Sequence, residues 1–346
     1  MAADTITATI PLPDKVVHYP IVGDDKGGRL FVFGKSDAPN VVFFCAGYPD
    51  DHGSFSALAE RLAREANCLC GVACLIGYDG YKPWTSYRSQ GYSFEEMTSS
   101  LRAAAKKLRQ ESTCPKPKYT TVFHDWGSCV GSWYTNQALE EKDSLVAPDQ
   151  IVYFDVLPVQ LHPSAQQLVP ASKTLWESVT EVSYRIVFAK AFLIQRFFSS
   201  HLAILYFTMS FMILGVLGLL PGNPSDDFED KLMKEKMTMD SASMSRMIYM
   251  AYPYYTMWLS VFQNGKIFDF HLPVLEETPV LFLYGACKNM QFHDKNVEAY
   301  LQEQAKKGSR SNAIAVSDAA HWLYLQQPDI CFDAVKNFIL DANKKE

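Results

Sequence analysis

The stretch TVFHDWGSCVG, Thr121 to Gly131, decides how the rest of the chain is read. Thr121, Val122 and Phe123 end an apolar, β-prone run. A carboxylate, Asp125, comes next but one, followed by Trp126, Gly127 and a small-residue run that suits a helix. A side chain at a tight strand-to-helix corner is lifted above the sheet, where a ligand can reach it. A carboxylate held there can attack an electrophilic carbon and form an ester with the protein. The positive end of the following helix then faces the developing charge. Two other readings fit the same residues. Cys129 falls in the Gly-x-nucleophile-x-Gly spelling GSCVG, although about one turn inside the helix. Asp125 as a plain helix N-cap is the structural alternative.

Outward from this corner, apolar strand-like runs alternate with helical ones. VVHYPIV (Val16–Val22) and RLFVFGK (Arg29–Lys35) read as two strands around the turn DDKGG. NVVFFCAG, CLCGVACLIG and KYTTVF read as buried strands, separated by amphipathic helices from Phe55 and from Phe94. QIVYFDVLP (Gln150–Pro158) is the next strand. After a long interruption, PVLFLYG, a helix around Asn296–Lys306, NAIAVSDAA and a last helix from about Asp329 restore the alternation. Apolar strands alternating with helices predict an α/β protein with a mostly parallel sheet covered on both faces. Residues 1–158 and 276–346 form its core. Residues 159–275 are expected to be a helical cap inserted after the sixth strand, because that block is Tyr/Met-rich and shows no β–α alternation.

Composition narrows the class. The chain has 346 residues, 48% apolar and 20% charged, enough for a sizeable core. A net charge of −6 argues against nucleic acid as a partner. The eight cysteines lack paired metal spacing, and no metal or cofactor is called for. Several lie in strand-like runs and read as reduced core residues. MAADTITATIPLPDK has no basic region before an apolar core, so no secretory signal is expected and the cytoplasmic side is.

An ester on Asp125 has to be hydrolysed, which calls for a base. His321, in the loop of SDAAHWLYLQQPD after the last strand, is suited to take a proton from water near neutral pH. The order nucleophile, acid, His along the chain is that of an α/β-hydrolase.

The motifs AGYP (Ala46–Pro49), HDWG (His124–Gly127) and AHWLYLQQP (Ala320–Pro328) resemble the α/β-hydrolase superfamily, in the branch of epoxide hydrolases and haloalkane dehalogenases. The resemblance covers roughly residues 16–158 and 279–339. It implies an eight-stranded α/β-hydrolase core with a helical cap. By that likeness Asp125 is the nucleophile, His321 the base, and the backbone N–H groups of Tyr48 and Trp126 form the oxyanion hole. Phe123 stands where the branch has the first elbow glycine, and Ala46 where it has a histidine. The loop after PVLFLYG reads ACKNMQFHD, with Lys288 and Asn289 where an acid would be expected. Asp155, at the end of the sixth strand, is the favoured third member of the triad, with Asp294 and Asn289 as alternatives. Cap tyrosines are implied as donors to an epoxide oxygen. Tyr255 is the first choice and Tyr254 the second, with Tyr184 or Tyr206 as a further one.

The function implied is hydrolysis of an epoxide to a diol through an Asp125 ester, on a small lipophilic substrate. Haloalkane dehalogenation is the alternative; Tyr48 stands where that activity often has an Asn. A catalytically silent protein that binds a lipophilic ligand is the third. LAILYFTMSFMILGVLGLL (Leu202–Leu220) carries no charge over 19 residues. A single crossing there would part Asp125 from His321, so a cap that dips into one leaflet is expected, or else a buried cap helix.

Overall fold

A computed structural model describes residues 10–21, 24–80, 83–158, 160–162, 168, 171, 173–220, 240–265, 271–288 and 290–341. The described strands are β1 (Lys15–Ile21), β2 (Asp24–Phe33), β3 (Asn40–Cys45), β4 (Cys68–Ala73), β5 (Lys118–His124), β6 (Gln150–Phe154), β7 (Val280–Gly285) and β8 (Asn312–Val316). They form one sheet in the order β1-β2-β4-β3-β5-β6-β7-β8. The β1–β2 and β2–β4 pairs are antiparallel, and all later pairs are parallel. The first hairpin differs from expectation. DDKGG lies within β2, and the chain reverses between Ile21 and Asp24. The register shifts at Pro20, which has no N–H to give to the ladder.

Around the sheet lie α1 (Gly53–Glu65), α2 (Phe94–Glu111), α3 (Trp126–Glu140), α8 (Lys295–Lys306), α9 (Leu323–Gln326) and α10 (Pro328–Asp341). Alternation of side chains sends Val42 and Phe44 of β3 into one core with Phe55 of α1 and Phe332 of α10. Val41, Phe43 and Cys45 enter the other core, with Leu101 of α2 and Val130 of α3. A strand apolar on both faces suits only a sheet covered on both sides. Ser93 and Glu96 close a reciprocal capping box at the start of α2.

Between β6 and β7 the described elements are all helices: α4 (Leu175–Phe197), α5 (Ser200–Val216), α6 (Ser241–Met250) and α7 (Tyr252–Asn264). Among the described residues no helix is long and apolar enough to cross a membrane. All eight cysteines are free, five of them buried.

The missing elbow glycine is offset elsewhere. Phe123 is fully buried against Tyr134 and Tyr153. Its ring occupies the space that a side chain at position 131 would need, since a Cβ on Gly131 would lie 2.6 Å from it. Gly131→Ala should therefore overpack the elbow and lower stability by about 1–3 kcal/mol. Denaturant melts would show it, and adding Phe123→Leu should return part of the loss. An additive double mutant would exclude this contact as the cause.

Candidate active site

The site is built where β3, β5, β6 and β7 end on the same side of the sheet. Asp125 directly follows β5 and holds φ 52° and ψ −127°. That backbone region is costly for any residue with a Cβ, by about 1–3 kcal/mol, and persists only where the surroundings enforce it. Here the enforcement is close packing. A Cβ on Gly127 would lie 2.2 Å from the carbonyl oxygen of Cys45, so α3 can start against the end of β3 only with glycine there. A Cβ on Gly47 would meet the Trp126 nitrogen at 2.2 Å and Asp125 Oδ1 at 2.4 Å. The AGYP loop thus closes directly over the elbow. That closure lets Tyr48 N–H donate to Asp125 Oδ1 at 2.6 Å, with the Trp126 amide on the same seam.

His321 sits opposite. Its Nδ1 lies 2.6 Å from Asp155 Oδ2, and its Nε2 lies 3.6 Å from Asp125 Oδ2. The first is a hydrogen bond; the second is too long for one but close for opposite charges. Burial alone would lower the affinity of the ring for a proton. Asp125 and Asp155, one on each nitrogen, outweigh it and push His321 up to about 10. The imidazole between Asp125 and Asp155 is therefore charged at neutral pH.

Asp155 is fully buried and also holds a positive φ, 63°. Besides His321 it accepts from Lys288 Nζ and, at 3.3 Å, from Gly285 N–H. Both Lys288 and Asp155 side chains are buried, at 1% and 0% exposure. Burial works against the Asp155 charge, but Lys288 and then His321 hold its carboxyl well below the usual carboxylate range. The Lys288 ammonium also lies 4.7 Å from the centre of the Phe292 ring, which packs edge-on against His321. Lys288 went unrecognised in the sequence. The signal was present, as a lysine where the likeness led one to expect an acid.

His124 finds its role behind the site. Its Nε2 donates to the His321 carbonyl at 3.0 Å, which leaves Nδ1 to accept from the Tyr324 hydroxyl at 3.2 Å. Asp50 sits 3.6 Å from that Nδ1 and accepts from Trp322 Nε1 at 2.9 Å. This buried network fixes the backbone of the His321 loop. A Cβ on Gly285 would lie 2.1 Å from the Ala320 carbonyl oxygen, so glycine at the end of β7 lets that loop come close.

The other expected residues are placed as follows. Asp294 caps α8 by accepting from Asn296 N–H at 2.8 Å, and its second oxygen accepts from Ala171 N–H at 2.7 Å. Asn289 lies outside the described residues. Trp126 is buried against Phe94 and Tyr254, with the Tyr254 ring edge-on at 4.9 Å. Tyr254 also meets Tyr48 at 5.5 Å, whereas Tyr255, one position on, packs against Phe192. Consecutive residues on a helix point about 100° apart, which is why only one of the pair turns toward Trp126. Tyr184 approaches Tyr254 and Phe292, while Tyr206 is a half-buried packing residue. Burial, then Asp125, Tyr184 and Tyr48, keep the Tyr254 hydroxyl protonated far above its ordinary range, against a hydrogen bond with Trp126. The Tyr184 hydroxyl is likewise raised by burial and accepts from Arg185 at 3.3 Å. Cys129 is pushed up to about 12 by burial and by Asp125, which leaves it a neutral thiol at physiological pH. Among the described residues no cluster of three His, Cys, Asp or Glu side chains could hold a metal ion.

Together these features define the α/β-hydrolase fold, with a carboxylate at the elbow. Among solved structures the chain is similar to a loop variant of haloalkane dehalogenase from Bradyrhizobium elkanii, at TM-score 0.55 and 14% identity, over 95% of this chain and 97% of that one. It is also similar to an epoxide hydrolase from Vigna radiata, at TM-score 0.52 and 17% identity, over 96% and 97%. A membrane phospholipase A, described as a bacterial virulence factor, gives TM-score 0.54 and 12% identity over 96% and 86%. No family model and no curated protein sequence matches the chain. These neighbours differ from one another in activity, so at such identities the likeness speaks for the fold and function has to be argued from the side chains.

Two measurements follow from the charges. Lys288→Met removes one partner of a buried ion pair and should cost about 3–5 kcal/mol in denaturant melts; a loss under 1 kcal/mol would mean that the pair does not hold in solution. The raised His321 contributes stability that is fully present below its ordinary value near 6.5 and is lost as pH climbs toward about 10. The melting temperature of His321→Gln should therefore fall less than that of the wild type between those two values, and parallel curves would contradict the raised affinity.

Proposed function

We propose that the protein is a hydrolase that opens an epoxide of a small lipophilic molecule to a vicinal diol through an ester on Asp125. The observation that carries this is the elbow carboxylate facing one nitrogen of His321, whose other nitrogen is bonded to Asp155. Asp125 attacks an epoxide carbon, and the ring C–O bond breaks. The alkoxide takes a proton from Tyr254 or Tyr184, both held protonated beside Asp125. The His321 proton then returns to the tyrosine. Esterification makes this transfer favourable, because it removes the Asp125 charge that raises His321.

Neutral His321 next takes a proton from water, and the hydroxide adds to the ester carbonyl carbon. The oxyanion meets the Tyr48 and Trp126 N–H groups. Collapse expels the alkoxide, which takes the proton left on the attacking oxygen, and the Asp125 carboxylate is restored. Lys288 has a part in this cycle: its charge offsets Asp155, so that Asp155 orients the imidazole without holding it permanently charged. The apolar enclosure by Phe188, Tyr48 and Trp126 suits a lipophilic substrate.

Dehalogenation would need two donors for the departing halide. The Trp126 indole hydrogen-bonds with Tyr254, and a tyrosine occupies position 48, so epoxide opening is the better supported of the two. A silent binding protein would have no use for an acid on His321.

Intact-protein mass spectrometry with a slow epoxide tests this. His321→Gln should accumulate the covalent ester, with turnover reduced on the order of 10²-fold or more, and Asp125→Ala should form none. Asp155→Asn should slow ester hydrolysis, on the order of 10⁴-fold for a neutralised triad acid. In a single turnover in heavy-oxygen water, label should enter Asp125 before product. Label going directly into the diol would rule the ester out, and ester formation from a bromoalkane but not from styrene oxide would favour dehalogenation.

A further inference from the structure

A helix that packs one stripe into a core ordinarily turns a polar face to water. Helix α5 does not. Its buried stripe is Ala203, Phe207, Phe211 and Leu214, and Phe207 (tilted) and Phe211 (edge-on) pack against Phe188 of α4. Its opposite side is also apolar: Leu205, Met209, Met212, Ile213 and Val216 are exposed, Val216 to 89%, and Leu217 continues the face beyond the last turn. At the corner where α4 meets α5, Phe197 and Phe198 are also exposed.

We propose that this outer face of α5, with the Phe197–Phe198 corner, docks on the surface of a lipid bilayer bearing anionic headgroups. Charge selects this occupant. From Val182 to Leu220 the chain has no Asp or Glu, against Arg185, Lys190 and Arg196, although the whole chain carries 38 acidic and 32 basic residues. Arg185 is turned inward, to Glu181 and Tyr184. Lys190 is exposed, and the Arg196 guanidinium lies 4.7 Å from the centre of the exposed Phe197 ring. Cations beside exposed aromatic and aliphatic side chains match the boundary between headgroups and acyl chains. A second copy of the chain meeting this region about a two-fold axis would bring the same cations together without acids to receive them.

The inner side of α4 carries Tyr184 and Phe188, whose rings approach Tyr254 and Tyr48. Docking would therefore hold the carboxylate site next to the membrane. The assignment rests on no catalytic role and is tested without an activity assay.

The test is co-sedimentation of the full chain with phosphatidylcholine vesicles, with and without phosphatidylserine. The wild type should pellet with the anionic vesicles and several-fold more weakly with the neutral ones. The double variant Met209→Glu/Val216→Glu should partition at least about tenfold more weakly, with unchanged circular dichroism and elution volume. Wild-type protein left in the supernatant overturns the proposal, as does a double variant that still pellets fully. A wild-type dimer that the same changes split, with no vesicle binding, assigns the face to a second copy instead. Should the glutamates disturb folding, Phe197→Ala/Phe198→Ala probes the exposed corner, and undiminished vesicle binding by that variant equally overturns the proposal.

Discussion

A charge buried at the end of β6 has to be met by other charges, and the arrangement around Asp155 follows from that need. An isolated carboxylate with no exposure would take up a proton instead of paying for desolvation. Asp155 remains ionised because Lys288 comes from the loop after β7, His321 from the loop after β8, and Gly285 adds a backbone N–H. Gly285 and Lys288 come from the end of β7 and the loop that follows it, and His321 from the loop after β8. The ion pair therefore ties two loops to the end of β6, and the histidine it orients is the one that faces the elbow. Burial makes this arrangement exacting, since either Lys288 or Asp155 alone would be a liability.

The elbow is held by exclusion of volume where the acid is held by charge. Gly47 and Gly127 leave no room for a Cβ, so the AGYP loop, the end of β3 and the start of α3 share one crowded seam. Asp125 keeps its unfavourable backbone angles inside that seam. Phe123 shows that the spelling of such a turn can change when a neighbour gives way. The ring fits because residue 131 has no side chain to meet it. His124 sits behind the elbow and bonds to the His321 backbone, so strand β5 positions its own acid and the distant histidine together.

Helix α4 works on two sides. Tyr184 and Phe188 face the tyrosines around Asp125, and Phe188 also receives Phe207 and Phe211 of α5. One aromatic side chain thus belongs both to the enclosure of the carboxylate and to the seat of an apolar helix. This accounts for an insertion so rich in Tyr and Phe. The phenols it places beside Asp125 are kept protonated by burial.

Much was legible in the order of residues. Alternating apolar runs are local patterns, and so are a strand ending in HDWG and a histidine after the last strand. They determined the sheet, its helices and the position of Asp125 at a corner. The block after β6 was readable as helical from long apolar, Tyr/Met-rich runs that lack the β–α alternation, which are local features too. Of the partners of Asp155, His321 was anticipated from its place after the last strand, whereas Lys288, 133 residues away, was not, because it meets Asp155 only once the crossover to β7 has folded. Asp155 was favoured over Asp294 by its place at the end of the sixth strand, with Asp294 left open as an alternative. Capping of α8 by Asp294 is a local feature; only tertiary structure adds Ala171 as its second partner and bonds Asp155 to His321. The same holds for Tyr254 and Tyr255: adjacent letters carry no facing, and packing on Phe192 or on Trp126 is settled by how α7 lies against the core. Local pattern chooses the elements; charge burial and helix orientation, which depend on distant chain segments, choose which side chains meet.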